Sequence, residues 1–371
     1  MKNYFNINSP TSIICDSIEN IDIINIIPKD VKNILIVKGM VSRSEAIDNF
    51  VNILKLKYKV CIYAVKSGEP TYKMVDEGTQ ISQNNNIDII IAIGGGTKID
   101  LAKAIAIRHY FAFTTSELMN EPIKHKIEKA LKLIVIPTTA GTGSELSMGA
   151  VLTDENSNKS SLRSPLILPY ITIVDPLLST TLPRKATAIT GFDVFTHAIE
   201  TYFSKYASPF TRQLSEYVMQ VCHSTLPELI EDLKNLTLRE KMSKSSLWMG
   251  YNLANSSTCL PHRIQYTLST YTNLEHAECL AVIYPTWLKL IHMEYPTELE
   301  DLIEIFSMGK SRDVDYMVDW IGRLHIRTNL SDQGIGRAQL SEISRLVNGN
   351  LKLDPVYKGR ETIEKILIGS L

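Results

Sequence analysis

The chain is poor in cysteine. Cys15, Cys61, Cys222, Cys259 and Cys279 are odd in number and form no C-x-x-C pair, which fits reduced thiols better than a disulfide framework. An excess of charge of either sign is also lacking: 39 basic residues stand against 40 acidic ones, a formal net charge of -1. That balance leaves no electrostatic footprint for nucleic acid or for an anionic membrane surface, and neither is expected as a partner. No apolar run approaches a membrane span, and the opening Met1-Lys2-Asn3-Tyr4-Phe5-Asn6 lacks the apolar stretch of a signal peptide, so a cytoplasmic location is expected. There is no internal repeat and no low-complexity tract. The spaced G-x-G-x-x-G fingerprint of the ordinary dinucleotide fold is missing too.

What is present is a change of pattern near residue 178. Before it, strands near 33–38, 58–63, 87–93, 132–136 and 171–174 alternate with helical patterns at 43–55, 71–84 and 97–108. That alternation implies a parallel sheet, hence a Rossmann-like α/β domain over residues 1–178. Residues 109–126 are weakly patterned, and the polar stretch 154–161 reads as a loop or hairpin tip. After residue 178 the pattern is almost wholly helical, with segments near 209–233, 239–256, 261–272, 276–293 and 297–307, so residues 179–371 read as an all-α domain. A chain of 371 residues is long enough for two such cores.

The run Ile87 to Ile93 is continuously apolar, as in a strand buried on both faces, and Gly94-Gly95-Gly96-Thr97 follows at once. Three residues without Cβ atoms let the backbone turn and approach a ligand, and the helix beginning near Thr97 aims its free N–H groups at whatever sits there. A pyrophosphate fits; a tight turn without ligand is the plainer alternative. A second strand, Leu133 to Ile136, runs into Pro137-Thr138-Thr139-Ala140-Gly141-Thr142-Gly143-Ser144-Glu145. Thr138, Thr139, Thr142 and Ser144 are hydroxyls suited to phosphate, ribose or carboxamide.

The other constellation is Asp193 and His197, four apart in Gly191-Phe192-Asp193-Val194-Phe195-Thr196-His197-Ala198-Ile199-Glu200, with His262 and His276 downstream. Positions i and i+4 share a helix face, so the first two can grip one cation from one side. One carboxylate and three imidazoles suit a first-row divalent metal and argue against Mg²⁺ or Ca²⁺. Sulfur ligation by Cys259 or Cys279, which flank the late histidines, is the alternative, and buried cysteine is more often inert packing.

Taken together, Gly94 to Lys103 with its Asp100, Pro137 to Glu145, Val174-Asp175-Pro176, Gly191 to Ser204 and the two late histidines resemble the iron-containing, group III alcohol dehydrogenases. Their superfamily also holds dehydroquinate synthase. The resemblance covers nearly the whole chain. It implies that Gly94, Gly95, Gly96, Thr97 and Asp100 belong to the pyrophosphate loop, that Thr138, Thr139, Thr142 and Ser144 line nicotinamide and ribose, and that Asp193, His197, His262 and His276 bind the metal. The implied activity is hydride transfer between NAD or NADP and a small aldehyde or alcohol. The metal, Fe²⁺ first and Zn²⁺ as the alternative, would polarise the oxygen, in a cleft between the domains. A homodimer is expected. The alternatives are a non-redox enzyme like dehydroquinate synthase, against which Asp193 as first ligand speaks, and a catalytically inactive binding protein on the same fold, against which an intact ligand set speaks.

Four departures from the family pattern carry expectations of their own. Ala277, where glycine is usual, is a small change beside His276. Tyr266 stands where many relatives carry another histidine, and its hydroxyl is a candidate proton relay. Arg263 and Gln265 are more polar than usual and, if they face the pocket, favour a polar or anionic aldehyde. At the end of the first strand the cofactor-binding candidates Lys38 and Gly39 lead to Ser42 and Arg43 without the aspartate that repels a 2′-phosphate, and Lys38, Ser42 or Arg43 could contact that phosphate, which points to tolerance of NADP.

Overall fold

The computed structural model describes residues 9–40, 44–66, 68–120, 127–326 and 329–371. These fall into two compact units that meet in sequence at Leu182 and Pro183. The change of pattern near 178 precedes that point because Asp175 keeps the turn Pro176–Ser179 with the first unit. Its carboxylate accepts from the Leu177 N–H at 2.9 Å and from the Ile18 N–H at 3.0 Å.

The first unit contains strands β1 (Ser12–Cys15), β2 (Asn33–Gly39), β3 (Lys59–Val65), β4 (Ile89–Gly94), β5 (Lys132–Pro137), β6 (Gly149–Thr153), β7 (Lys159–Arg163) and β8 (Ile171–Val174). Helices α1 (Ile23–Ile26), α2 (Glu45–Lys55), α3 (Tyr72–Asn84), α4 (Gly96–Arg108) and α5 (Thr115–Asn120) lie between them. Six strands form one parallel sheet in the order β1-β8-β5-β4-β2-β3, and β6 with β7 makes a separate antiparallel hairpin. Successive side chains of the central strands enter opposite cores. Leu35, Val37, Ile90, Ala92, Leu133 and Val135 pack with Ile99 and Ile105 of α4. Ile34, Ile36, Ile89, Ile91, Ile134 and Ile136 pack with Phe50, Val51 and Leu54 of α2. Burial on both faces is why these strands are continuously apolar rather than alternating.

The sheet confirms the α/β reading and adds strands that periodicity does not reveal. Strand β1 has four residues at the sheet edge, mostly exposed, so no apolar pattern marks it. The polar stretch after β6 is the hairpin turn: Asp154 accepts from the Asn156 and Asn158 N–H groups, each at 2.8 Å, and Ser157 takes a positive φ of 66°. The helical start expected at residue 43 lies outside the described residues.

Pro183 precedes the second unit's first helix, α6 (Arg184–Phe203). It is followed by α7 (Pro209–Glu231), α8 (Leu236–Asn255), α9 (Leu260–Tyr271), α10 (His276–Glu294), α11 (Pro296–Phe306), α12 (Val314–Arg323), α13 (Arg337–Leu346) and α14 (Arg360–Ile368). Helix α6 is buried on every side from Gly191 to Phe203, which marks it as the central helix of a bundle rather than a surface one. Gly191 lets α7 approach closely, since a Cβ there would sit 2.3 Å from Leu226 Cδ1. Phe192 and Phe195 of α6 pack on Tyr284 of α10, and Phe195 also meets Phe306 and Trp320. Among the described residues no helix is long and apolar enough to cross a membrane.

The hairpin is tied to α4 by one fully buried cation. Lys103 Nζ donates to the Gly149 carbonyl at 2.8 Å, the Ser147 carbonyl at 2.8 Å and Ser144 Oγ at 3.0 Å. Burial lowers its pKa to about 8, against the opposing pull of Asp100 and Glu145. Between that value and 10.5, where an unfolded lysine titrates, the unfolded chain binds the proton more often, so this group's contribution to stability rises with pH across the window. Lys103→Met strips the buried carboxylates of their cation and is expected to cost about 3 to 5 kcal/mol. The gap to the wild type should widen between pH 8 and pH 10 in urea titrations; a variant as stable as the wild type would refute this account of Lys103.

Candidate metal centre and nucleotide-binding loops

In the first unit the chain passes from β2 outward to β3 and returns on the other side of β2 as β4. The carboxyl ends of β2 and β4 therefore flank the point where an open parallel sheet makes its ligand crevice. Lys38 and Gly39 end β2, Gly94 ends β4, and the Thr138 loop leaves the neighbouring β5. The two loops touch. The Thr138 N–H donates to the Gly94 carbonyl at 3.1 Å. A Cβ on Gly95 would meet Thr139 Oγ1 at 3.1 Å, and one on Gly96 would meet Thr142 Cγ2 at 2.7 Å. At Gly94, φ is +156° and a Cβ would lie 2.8 Å from Lys98 Cγ. No side chain caps the start of α4, where Gly96 and Thr97 stand, so its positive end is open to an anion.

Two residues expected at this loop are engaged within the protein. Ser144 Oγ donates to the Asp100 carboxylate, whose other oxygen accepts the Val151 N–H at 2.8 Å. With Lys103 they stitch α4 to β6. Lys38 is also engaged: its Nζ lies 3.7 Å from Asp48 of α2. Ser42 and Arg43 lie outside the described residues.

In the second unit, α6 carries Asp193 and His197, the first turn of α9 carries His262, and α10 begins at His276. Asp193, His262 and His276 each bring one ligand atom into a group whose members lie within 4.8 Å of one another. Asp193 Oδ1 is 3.4 Å from His276 Nε2 and 3.7 Å from Nε2 of both His197 and His262. His197 stands at the margin of the group, its ring stacked on that of His262 with centroids 4.8 Å apart. Asp193, His197 and His262 are buried, whereas the His276 side chain is 32% exposed. No cysteine joins the group: the buried Cys259 and Cys279 thiols face the Glu200 and Leu274 carbonyls.

The start of α10 is clamped to α6. Glu275 and Glu278 form a capping box there, and Lys185 of α6 reaches them at 2.8 and 3.0 Å. One residue of the site carries no signal by type alone. Glu200 was simply the end of the Asp/His run, yet it is fully buried and its Oε1 lies 2.7 Å from His262 Nδ1. It lies seven residues past Asp193 and three past His197, so the signal was in the spacing: all three share one face of α6. Tyr284 of α10 donates to the same oxygen at 2.9 Å.

These groups control one another's protonation. Burial opposes charge on Asp193, but His197, His276 and His262 hold it well below the usual carboxylate range. Burial likewise opposes charge on His262, and Glu200 and Asp193 outweigh it, raising that imidazole to about 9. His197 goes the other way, to about 4, because burial dominates and the partial compensation by Asp193 is too small. Two carboxylates around one imidazolium leave the pocket short of positive charge. His262 Nε2 and His197 Nδ1 are buried without a hydrogen-bond partner. Converging nitrogen and oxygen donors, an orphaned buried nitrogen and a deficit of positive charge together fit a divalent first-row cation.

Tyr266, one turn after His262, is partly exposed and lies under the Arg263 guanidinium, 5.8 Å from its ring centroid. Arg263 also reaches Ser257 Oγ at 3.4 Å. Gln265 is fully buried, with neither amide atom hydrogen-bonded.

A glycine-rich turn after a parallel strand lies in one unit, and an aspartate with three histidines lies among the helices of the other. The profile described as "Iron-containing alcohol dehydrogenase" matches residues 10–176, and that described as "Fe-containing alcohol dehydrogenase family, C-terminal" matches residues 187–370. The chain belongs to the iron-containing alcohol dehydrogenase family, whose members are oxidoreductases. It is 28% identical over 301 residues to a choline dehydrogenase of Bacillus subtilis (strain 168), covering 77% of this chain and 74% of that protein. A probable NADH-dependent butanol dehydrogenase of the same organism is 29% identical over 298 residues, covering 76% and 75%. An iron-containing alcohol dehydrogenase of Thermotoga maritima superposes with a TM-score of 0.87 at 25% identity, covering 99% of each chain.

Because His262 neutralises the buried Glu200, its removal strands a carboxylate. His262→Ala is expected to destabilise chelator-treated protein by about 3 to 5 kcal/mol, and His276→Ala by much less, given the greater exposure of that ring. Parallel urea titrations of the two variants test the order; equal losses would refute it.

Proposed function

We propose that the chain oxidises and reduces a small alcohol and aldehyde pair with NAD(H), and that Asp193, His197, His262 and His276 hold one divalent ion, Fe²⁺ in first place. The observation that carries the ligand set is the convergence of Asp193, His262 and His276 within 4.8 Å. Support for His197 as the fourth member comes from its position at 3.7 Å from the same Asp193 oxygen. Bound there, the ion supplies a Lewis acid for the substrate oxygen, and the nicotinamide supplies or takes the hydride.

The protein's own groups do the rest. Asp193 stays ionised and offers negative charge to the cation. His262 presents Nε2 to the same centre while its other nitrogen is held by Glu200. Gly94, Gly95 and Gly96 let a pyrophosphate approach the backbone at the start of α4, and Thr138, Thr139 and Thr142 form the adjoining wall. Asp100 and Ser144 serve this loop from behind, by fixing α4 against β6. Tyr266, partly exposed on the turn after His262, is the candidate for a proton relay. Pairing of Lys38 with Asp48 weakens its pull on a 2′-phosphate, and the butanol dehydrogenase relative is named for NADH, so NADH is the preferred cofactor and NADPH the weaker one. Gln265, three residues after His262, has a buried amide without a hydrogen-bond partner, and one relative is named for choline; both favour a polar substrate over a long alkyl one.

His276→Ala is the cleanest test of the metal centre. Metal analysis after anaerobic loading with Fe²⁺ should fall from about one ion per chain to near none, and alcohol oxidation should fall about 100-fold or more, with the circular dichroism unchanged. A variant that keeps both would sink the ligand assignment. Rates with NADH and NADPH on a panel of aldehydes test the cofactor reading, which a preference for NADPH would overturn.

A further inference from the structure

Glu200 is more thoroughly engaged than a packing residue needs to be. It is fully buried at the end of α6. One oxygen, Oε2, accepts the backbone N–H of Cys259, the residue that caps α9, at 2.7 Å. The other, Oε1, lies 2.7 Å from His262 Nδ1 and accepts the Tyr284 hydroxyl at 2.9 Å. Asp354 makes a parallel arrangement one residue further on: it accepts the Leu260 N–H at 2.9 Å and the Trp287 Nε1–H at 2.9 Å. Two buried carboxylates thus pin the start of α9 to α10, but only Glu200 also touches an imidazole.

The chemistry of that contact is specific. An ionised carboxylate has no proton to give, so His262 must be the donor, through Nδ1–H. In the neutral ring that a cation requires, the other nitrogen then carries the lone pair, and Nε2 is the atom that faces Asp193 and lacks a hydrogen-bond partner. We propose that Glu200 is the positioning residue of the metal centre: by accepting the Nδ1 proton of His262 it fixes the tautomer and the ring angle that turn Nε2 toward the cation. The proposal rests on the assignment of His262 to the metal centre. Helix α6 then serves the site at two levels, with Asp193 and His197 facing the ion and Glu200 holding a ligand that comes from another helix.

Glutamine at this place is a sharp probe because the Cys259 N–H fixes its orientation. Its carbonyl oxygen takes that backbone donor, because the Tyr284 hydroxyl can donate instead to the Thr196 carbonyl at 3.0 Å, so its NH₂ faces His262. An NH₂ group cannot accept the Nδ1 proton. The imidazole must then give up Nδ1–H and carry its proton on Nε2, where it blocks a ligand bond. The side chain keeps its size and its backbone contact, so a purely structural role would survive this change.

The test is a chelator competition for Zn²⁺, a diamagnetic probe, on the wild type and Glu200→Gln, with ring-nitrogen NMR of the Zn²⁺-loaded wild type. The expected results are an affinity about 10 to 100-fold weaker in the variant, an unchanged far-ultraviolet spectrum, and an exchange-protected Nδ1 proton on His262. Tyr284→Phe removes a donor to Glu200 but leaves the imidazole contact, and should bind Zn²⁺ within about threefold of the wild type. Affinity of Glu200→Gln within twofold of the wild type overturns the proposal, as does a His262 proton on Nε2 in the loaded wild type. If Glu200→Gln does not fold, the wild-type spectrum decides alone. A wild type that binds no divalent ion would instead overturn the metal reading itself, so the two failures are distinct.

Discussion

Burying charge is the constraint on which the helical unit turns. Asp193, Glu200 and His262 lie out of water at the junction of α6, α9 and α10, where an uncompensated ion costs several kcal/mol. The structure answers with mutual compensation: Glu200 and Asp193 flank His262, and backbone and hydroxyl donors fill the remaining acceptor positions on Glu200. Compensation is incomplete, because two nitrogens of the cluster stay without partners. In a structural ion-pair network such gaps would be a defect. In the proposed metal site His262 Nε2, which faces Asp193, would be a ligand position.

The sheet unit solves a different problem. Under the proposed function a pyrophosphate would need backbone close by and positive polarity without bulk, and the turn after β4 offers both because its glycines leave room for Thr139 and Thr142 to close against them. That turn would be soft by itself. Asp100, Ser144 and Lys103 stiffen it from below by joining α4 to the hairpin. Their roles illustrate how one motif holds two kinds of residue: those that leave space for a ligand, and those that keep the space from collapsing.

The family, the parallel sheet and the change to a helical second half were all legible, because continuous apolar runs and periodic helical faces are local properties. Strand β1 was not, since four edge residues, three of them exposed, are too few to carry a pattern. The Asp193 and His197 pair was visible by its spacing, whereas its association with His262 and His276 rested on resemblance alone until three helices brought Asp193, His262 and His276 together. Asp100 and Ser144 were assigned to the ligand by motif, but their side chains bond to each other. A motif identifies which residues matter and is silent about which way they point.

The sequence by itself determined the family, through its glycine- and threonine-rich loops in the first half and its aspartate with three histidines in the second. Tertiary structure alone decided how those groups are held. Glu200 meets His262 across 62 positions of chain, and Asp354 meets Leu260 across 94. Neither pairing leaves a trace in local composition, because a buried carboxylate is chosen by the donors that surround it, and those donors are assembled only when α6, α9 and α10 pack.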